Sequence, residues 1–276
     1  MATRTGLGIE PFALGQVGRV DRNRVRALGP RPEQGGGDSG GDGGTNPWDN
    51  NSRWNIAVEG FTCPSDGQPY EDKIGYNNYV FCGGDEYNTE DTNRGAFKTT
   101  WNNPFVRDFS SFTDGLSNTQ FMSEVHFATG EQTLGRAARY DSPIPNDCKA
   151  QYNSSTRQYI GTVGESNKDR GSRWGDGAPY FVGYQSILPP NSPSCIADDH
   201  DSSLKSTMLS AASRHPGGVN VLFGDGSVHF ISETIDSGDQ TYPCNDIKNY
   251  PNAPRSPYGV WGALGSINGG EVVSDF

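Results

Sequence analysis

The segment 217–232, which reads GGVNVLFGDGSVHFIS, is the part of the sequence that most constrains the fold. Apolar and other residues alternate on both sides of an Asp225-Gly226 pair. The alternating apolar residues are Val219, Val221, Phe223, Val228 and Phe230. Because Asp and Gly tolerate the positive φ that tight hairpin turns need, the pattern predicts an antiparallel β-hairpin. It places His229 on the opposite face of its strand from Val228 and Phe230, and we therefore expect His229 to be exposed.

Short apolar runs bounded by turn residues predict further strands. They are IAVEGFTC, YNNYVFC, FSSFTDG, TQFMSEVHFA and PYFVGYQSIL. The 37 Gly and 18 Pro residues fit many turns, and an aromatic content of 11% argues against disorder throughout the chain. The best helical pattern covers Leu204–Ala212. The predicted fold is therefore α+β, mainly antiparallel β, with long loops.

Composition divides the chain into two parts. Residues 1–45 are rich in Arg, Gly and Pro and include the low-complexity run QGGGDSGGDGG, which predicts a disordered tail. Residues 46–276 form the predicted β-rich domain. The net charge of −11 disfavours binding to nucleic acid. No apolar run approaches the roughly 20 residues that span a bilayer, so no membrane span is predicted.

Five cysteines are spread singly through the sequence. They are Cys63, Cys82, Cys148, Cys195 and Cys244. They lack zinc-finger spacing, so they are better interpreted as disulfide cysteines of an oxidising compartment. Cys63 with Cys82, and Cys148 with Cys195, are the candidate pairs, which would leave Cys244 over. The connectivity is not determined by the sequence.

The hairpin segment also resembles a family signature. In SRHPGGVNVLFGDGSVHFISETID, His215 is followed by nine residues and then by Asp225-Gly226. This phrase resembles the motif of the planctomycete prepilin-like family (domain of unknown function 1559). Four further regions resemble the same family in the same order. They contain FTCPSDG, DFSSFTDGLSNTQFMSE, RWGDG with LPPNSPSC, and the C-terminal YGVWGALGSINGGEVVSDF.

The resemblance, which covers about Asn46 to Phe276, implies a β-rich head like that of a type IV pilin or pseudopilin. In the implied architecture a cleaved prepilin segment and a long apolar helix precede the head. Residues 1–44 do not resemble that helix, and we expect a head without it. The implied role is non-enzymatic, in a surface or secretion-associated assembly of the cell surface, periplasm or exterior. The implied partners are other pseudopilin-like subunits or surface proteins.

Catalytic patterns are scarce, which favours a protein that is not an enzyme. The four histidines form no HExxH spacing, and no G-x-S-x-G elbow occurs. A hydrolase is the less favoured alternative, with Asp114 and Glu124 as a candidate carboxylate pair. We interpret the motif as structural, with His215 bonded to a nearby carboxylate or carbonyl. Its residues are His215, Gly217, Gly218, Asp225 and Gly226.

Two binding hypotheses remain. Asp198, Asp199 and Asp201 are candidate calcium ligands, since calcium prefers hard oxygen donors, although a solvated loop is the competing interpretation. A second acidic run, 85–91, has the same two interpretations. Five tryptophans make a secreted carbohydrate-binding module an alternative function, although aromatic residues more often build the core. They are Trp48, Trp54, Trp101, Trp174 and Trp261.

Overall fold

A computed structural model describes residues 24–26, 54–67, 75–87, 94–98, 106–164, 169–197, 207–271, 273 and 276. Short strands dominate these ranges. They are β1 (Arg24–Arg26), β2 (Tyr79–Cys82), β3 (Val106–Asp108), β4 (Gln120–Glu124), β5 (Ala138–Arg139), β6 (Tyr152–Asn153), β7 (Gln158–Tyr159), β8 (Gly183–Tyr184), β9 (Cys195–Ile196), β10 (Thr207–Met208), β11 (Gly218–Phe223) and β12 (Val228–Ser232). The α-helices are α1 (Pro145–Lys149), α2 (Pro179–Val182) and α3 (Gly259–Gly265). Single 3₁₀ turns lie at Glu59–Phe61, Phe109–Ser111, Leu116–Asn118 and Ile247–Asn249. The predicted α+β, mainly antiparallel class is confirmed.

The central sheet has the strand order β12-β11-β4-β2-β8. Its neighbours are antiparallel except for β2 and β8. The predicted hairpin is confirmed as β11–β12. Gly226 has a φ of 89°, whereas Asp225 is not among the described non-glycine residues with positive φ. The Asp225 carboxylate instead accepts hydrogen bonds from the backbone N–H and the hydroxyl of Ser227, at 2.9 and 2.7 Å.

One face of the central sheet packs into the core. Its buried residues, with those of α3, include Val80, Cys82, Val219, Val221, Phe223, Ile231, Trp261 and Leu264. The expected orientation of β12 was therefore only partly right. His229 is exposed, but Val228 and Phe230 are also exposed, by 62% and 50%. The reason is register: Ile231 lies opposite Val219, so the face that β12 turns to the core is that of Ile231.

The predicted helix at Leu204–Ala212 was wrong in its described part. Thr207–Met208 is strand β10, which pairs with β9 in the sheet β10-β9-β5. Neighbouring segments supply the hydrogen bonds that a helix would have made internally. The backbone N–H of Leu209 donates to Gln185 Oε1, and that of Ala212 donates to the carbonyl of Glu124. These tertiary contacts override a weak local helical preference.

Cys148 and Cys195 form a disulfide with a Cα–Cα distance of 5.9 Å, as predicted. The second candidate pair was wrong, since Cys63 and Cys82 are both free, as is Cys244. Cys82 turns into the core of the central sheet, where burial raises the pKa of its thiol to about 12. Burial likewise raises the pKa of Cys244. Cys63 lies instead beside His215, with 3.9 Å between Sγ and Nε2.

Buried polar networks supplement the apolar core. The Arg136 guanidinium lies 2.8 Å from Asp169, and both side chains are almost fully buried. Arg170 is also buried and donates to the Ser194 hydroxyl and to the carbonyls of Ser210 and Gly183, at 3.0, 2.6 and 2.8 Å. Burial lowers the pKa of Arg170 to about 10, so it stays charged at neutral pH. The charge is satisfied by groups from three separate segments, which it links.

The prediction of a disordered tail over residues 1–45, and of its boundary, falls largely outside the described residues. Within the tail 1–45, the structure describes Arg24–Arg26, which pair antiparallel with β3. The boundary at residue 45 stays a prediction.

The longest α-helix in the described ranges, α3, has seven residues, too few to cross a membrane.

We expect removal of the disulfide to destabilise the domain. The bond joins residues 47 positions apart, and the loop-entropy relation gives about 4 kcal/mol for a loop of that length. In urea titrations, the free energy of unfolding of a Cys148→Ala/Cys195→Ala variant should be about 4 kcal/mol lower than that of the wild type. The control is Cys244→Ala, which removes a free, buried thiol from the same core cluster without breaking a disulfide. A loss below about 1 kcal/mol for the double variant would contradict the prediction.

Candidate functional site

Glu124 is the centre of a polar cluster on the face of the central sheet that is turned away from α3. It is the last residue of β4 and its side chain is 6% exposed. Its Oε2 accepts a hydrogen bond of 2.7 Å from the backbone N–H of Asn220 on β11. The Asn220 side-chain amide lies 3.3 and 3.4 Å from the two carboxylate oxygens. The carboxylate is thus held across two strands, with Oε1 directed to the loop before β11.

His215 lies in that loop and contacts the carboxylate. Its Nε2 is 3.2 Å from Glu124 Oε1, and its backbone N–H donates to Ser213 Oγ at 3.0 Å. The Ser213 hydroxyl in turn donates to the carbonyl of Gly218 at 2.7 Å. The loop is therefore fastened to the first residue of β11, and the partner of His215 is a carboxylate, one of the two kinds of partner that we expected for it.

The glycines of the motif have backbone roles. Gly217 has a φ of 83°, which side-chain-bearing residues rarely adopt. A Cβ at Gly218 would lie 2.1 Å from the carbonyl oxygen of Ile231, so the approach of β12 excludes a side chain there. Asp225 and Gly226 form the opposite end of the hairpin. The motif thus combines a histidine at the cluster with residues that shape the strand pair.

Cys63 supplies the third group. It follows the 3₁₀ turn Glu59–Phe61, and its backbone N–H donates to Asn78 Oδ1 at 2.7 Å. Cys63 Sγ, Glu124 Oε1 or Oε2 and a His215 ring nitrogen all lie within 4.8 Å of one another. Cys63 and His215 are half-buried, and Glu124 is buried. Within the described part of the chain, this is where sulfur, nitrogen and oxygen donors converge.

Asp66 holds the segments that carry these groups. Its carboxylate accepts hydrogen bonds from Asn78 Nδ2 at 2.5 Å, from the backbone N–H of Phe127 at 2.6 Å and from Arg214 Nε at 3.0 Å. Arg214 also donates to the carbonyl of Phe127 at 2.7 Å. Because Asp66 lies near Cys63 in sequence and Arg214 precedes His215, this carboxylate fixes both loops beside the end of β4.

The contacts of His215 in this cluster differ from those of the histidine in a catalytic triad. In a nucleophile–histidine–carboxylate triad, the two partners contact different ring nitrogens. Here the same atom, His215 Nε2, is the one near Cys63 Sγ and Glu124 Oε1. The three donor atoms therefore lie close to one another, with His215 Nε2 next to both of the others. Tyr79 lies opposite Glu124 on β2, and burial, with smaller effects from Cys63 and Glu124, raises the pKa of its phenol.

An apolar row crosses the same outer face. Val228, Leu222, Met122 and Phe81 are successive register partners on β12, β11, β4 and β2. Paired residues of neighbouring strands share a face. Leu222, Met122 and Phe81 are partly buried, whereas Val228 is exposed. The outer face thus carries apolar side chains beside the polar cluster.

The apolar row ends at a shallow cleft. Phe81, Phe97, Pro179 and Val182 are among the residues that line it, and its volume is about 40 Å³. Sites that enclose organic ligands usually measure roughly 300–1,000 Å³. The cleft therefore extends the apolar surface and does not enclose a small molecule.

Other predicted site residues lie elsewhere. Asp198, Asp199 and Asp201 are outside the described residues, so their calcium role stays a prediction. In the second acidic run, residues 88–91 also lie outside the described residues, so that calcium hypothesis stays a prediction too. Its Asp85 is buried and accepts hydrogen bonds from Arg94 Nε and Nη2 at 2.7 and 3.0 Å. Asp114 accepts from the backbone N–H groups of Gly269 and Gly270. These carboxylates have structural partners.

The tryptophans divide into a core residue and a surface pair. Trp261 is fully buried and donates to the carbonyl of Leu188 at 2.8 Å. Trp54 and Trp174 are partly exposed, with ring centroids 5.4 Å apart. Trp48 and Trp101 lie outside the described residues.

Sequence reasoning missed the meeting of Cys63 with Glu124 and His215. The three residues lie in separate phrases, and the contacts span 152 and 91 positions. Each phrase was recognisable by its resemblance to the family, and this was the available signal. Local patterns carry no information on which phrases converge in space.

Stability should also depend on pH through His126, which lies close to the site. It is buried, and its Nδ1–H donates a hydrogen bond of 2.9 Å to the Phe127 carbonyl. Burial foremost, and then the Arg214 charge, lower the pKa of His126 from 6.5 to about 4. Between these values the unfolded chain binds the proton and the folded chain does not. The free energy of unfolding should therefore fall as the pH drops from 6.5 to about 4, by roughly 3 kcal/mol.

Urea titrations at several pH values test this expectation. A His126→Gln variant, which cannot titrate, should show a shallower decrease over the same range. The matched control is His229→Gln, because His229 is exposed. Identical pH profiles for wild type and His126→Gln would contradict the prediction.

Comparison with known proteins identifies one family. Residues 36–238 match the family described as "Protein of unknown function (DUF1559)". No curated protein and no solved structure matches the chain. The matched range includes the three cluster residues and the whole hairpin, and it covers most of the sequence. The chain belongs to the DUF1559 family of proteins of unknown function.

Proposed function

We propose that this protein is a non-enzymatic structural subunit, the pilin-like head of a pseudopilin-like or secretion-associated assembly. Its place would be the cell surface, the periplasm or the exterior. In this proposal copies of the chain associate through the outer face of the central sheet and the free edge of β12. The proposal extends the family resemblance by naming the contact surface.

The observation that carries the proposal is the exposure of β12. Val228 is 62% exposed and Phe230 is 50% exposed, on a strand at the edge of the central sheet. Among the described residues, β12 pairs with β11 alone. Its outer edge therefore presents backbone donors and acceptors together with large apolar side chains.

The sequence of β12 supports association rather than protection. Natural edge strands are commonly guarded by charged residues, Pro or bulges. The five residues of β12, VHFIS, contain neither Pro nor a Lys, Arg, Asp or Glu. Pairing with another β12 would satisfy the edge and cover Val228 and Phe230 of both copies. A second copy is therefore the partner to which the proposal commits.

The polar cluster supports a non-enzymatic role in its own way. The thiol and the carboxylate both lie near the same nitrogen of His215. In a hydrolytic triad, by contrast, the nucleophile and the carboxylate contact different ring nitrogens. The cleft at Phe81 is also small, at about 40 Å³. A surface that binds another protein needs neither a catalytic relay nor a pocket that encloses a small molecule.

Analytical ultracentrifugation over a series of protein concentrations tests the proposed assembly. The wild-type chain should self-associate, and a Val228→Asp/Phe230→Asp variant should sediment as a monomer. The matched control is Ile160→Asp, because Ile160 is 69% exposed and lies next to β7, outside the central sheet. Circular dichroism checks that each variant is folded.

The outcomes separate the cases. A wild-type chain that is monomeric at every concentration overturns the proposal. So does association that persists in the double variant, or that disappears equally with Ile160→Asp.

A carbohydrate-binding module is the second candidate function, favoured by the Trp54–Trp174 pair. Both tryptophans are partly exposed, and the ring centroids of Phe61 and Trp174 are 5.8 Å apart. Aromatic faces of this kind can stack on sugar rings. Specific binding on a glycan array that Trp174→Ala abolishes would support this function. The absence of binding by the wild-type chain would remove it.

A further inference from the structure

We propose that Cys63, Glu124 and His215 bind one zinc ion. The inference is independent of the proposed assembly, because it rests on the donor atoms of the polar cluster and not on β12. It assigns a metal site to residues from three phrases of the family signature, including the histidine of the motif.

The donor types fit zinc. Thiolate, imidazole and carboxylate are its usual protein ligands, at about 2.3, 2.0–2.1 and 2.0–2.2 Å. Calcium and magnesium prefer oxygen ligands alone, so a site with sulfur and nitrogen discriminates against them. A Cys63 thiolate and the Glu124 carboxylate together carry two negative charges, which would balance the charge of the ion.

The separations between donors are close to those of a tetrahedral site. Tetrahedral angles with these bond lengths place sulfur and nitrogen about 3.6 Å apart, and nitrogen and oxygen about 3.3 Å apart. The corresponding distances here are 3.9 Å for Cys63 Sγ to His215 Nε2, and 3.2 Å for His215 Nε2 to Glu124 Oε1. The third separation, between Cys63 Sγ and a Glu124 carboxylate oxygen, is at most 4.8 Å, so a side-chain movement of about 1 Å or less brings all three donors to bonding distance of one ion.

Surrounding hydrogen bonds hold the ligands in place. Glu124 Oε2 accepts from the backbone of Asn220, which leaves Oε1 directed at His215. The backbone N–H of Cys63 is bound by Asn78, and that of His215 by Ser213. Such outer interactions orient metal ligands and raise affinity.

The electrostatic surroundings are compatible with a cation. Arg214 precedes His215 in sequence, and its guanidinium lies 3.0 Å from the Asp66 carboxylate, so its charge is paired. The His215 side chain is 28% exposed, which leaves a path for the ion and for a fourth ligand from solvent. Three protein ligands with one open position is the arrangement of catalytic zinc sites, whereas structural sites usually have four protein ligands. The zinc proposal therefore stands apart from the proposed non-enzymatic role and is tested separately. Binding transfers the Cys63 thiol proton to solvent as the zinc–sulfur bond forms.

The experiment uses the full chain after treatment with a chelator. Zinc is titrated in competition with a chromophoric chelator, and cobalt is added separately as a spectroscopic probe. We expect one equivalent of zinc to bind, and cobalt to give a thiolate-to-metal charge-transfer band. Cys63→Ser should abolish that band and, like His215→Ala, lower zinc affinity at least about 100-fold, since loss of an outer partner alone costs about 10–100-fold.

Controls keep folding and binding separate. His229→Ala removes an exposed histidine outside the cluster and should leave zinc affinity unchanged. Glu124→Gln keeps an amide oxygen for the Asn220 N–H and should retain the fold while weakening the site. Thermal unfolding without metal verifies that each variant is folded.

Three outcomes would overturn the inference. The wild-type chain binds no zinc, or Cys63→Ser binds it as tightly as wild type, or His229→Ala loses binding to the same extent as His215→Ala. Rapid alkylation of Cys63 that excess zinc does not slow would also count against it, and would indicate a reactive thiol instead.

Discussion

The arrangement of loops on the outer face of the central sheet depends on the hydrogen bonds that the Asp66 carboxylate accepts. This carboxylate accepts hydrogen bonds from Asn78, from the Phe127 backbone and from Arg214, and its side chain is only 3% exposed. Hydrogen bonds to a carboxylate are stronger than hydrogen bonds between neutral groups. Removing the carboxylate would take a hydrogen-bond acceptor from Asn78, Phe127 and Arg214, and a buried donor left unpaired costs about 1–3 kcal/mol. The loops of Cys63 and His215 stay beside β4 for this reason.

The same solution recurs in the core, because the chain has only 32% hydrophobic residues. Arg170 links three segments through backbone carbonyls and a hydroxyl, and Arg136 pairs with Asp169. Such groups must be satisfied once buried, so they fix the relative positions of the segments more specifically than apolar contacts do. A domain of short strands and long loops thereby acquires a defined arrangement around its central sheet.

Features encoded by neighbouring residues could be predicted, and features that arise from distant contacts could not. Alternation around Asp225-Gly226 gave the hairpin, because strand period and turn chemistry are local. The expected helix near Leu204 failed because the backbone of Leu209 and Ala212 is bound by Gln185 and Glu124. The faces of β12 depend on its register with β11, in which Ile231 opposes Val219. The site was predictable only as a set of phrases, since its contacts span 91 and 152 positions.

The failed pairing of Cys63 with Cys82 bears on what Cys63 does. Cys82 and Cys244 are buried, and burial raises the pKa of both thiols, so they remain protonated and act as small apolar residues. Cys63 is the partly exposed free cysteine of the described residues, and its neighbours are a histidine and a carboxylate instead of apolar side chains. A sulfur beside nitrogen and oxygen donors has neighbours that can bind a metal ion with it, whereas a sulfur among apolar side chains only fills space in the core. Counting cysteines toward disulfides obscured this difference, which depends on the environment of each thiol and not on the number of thiols in the chain.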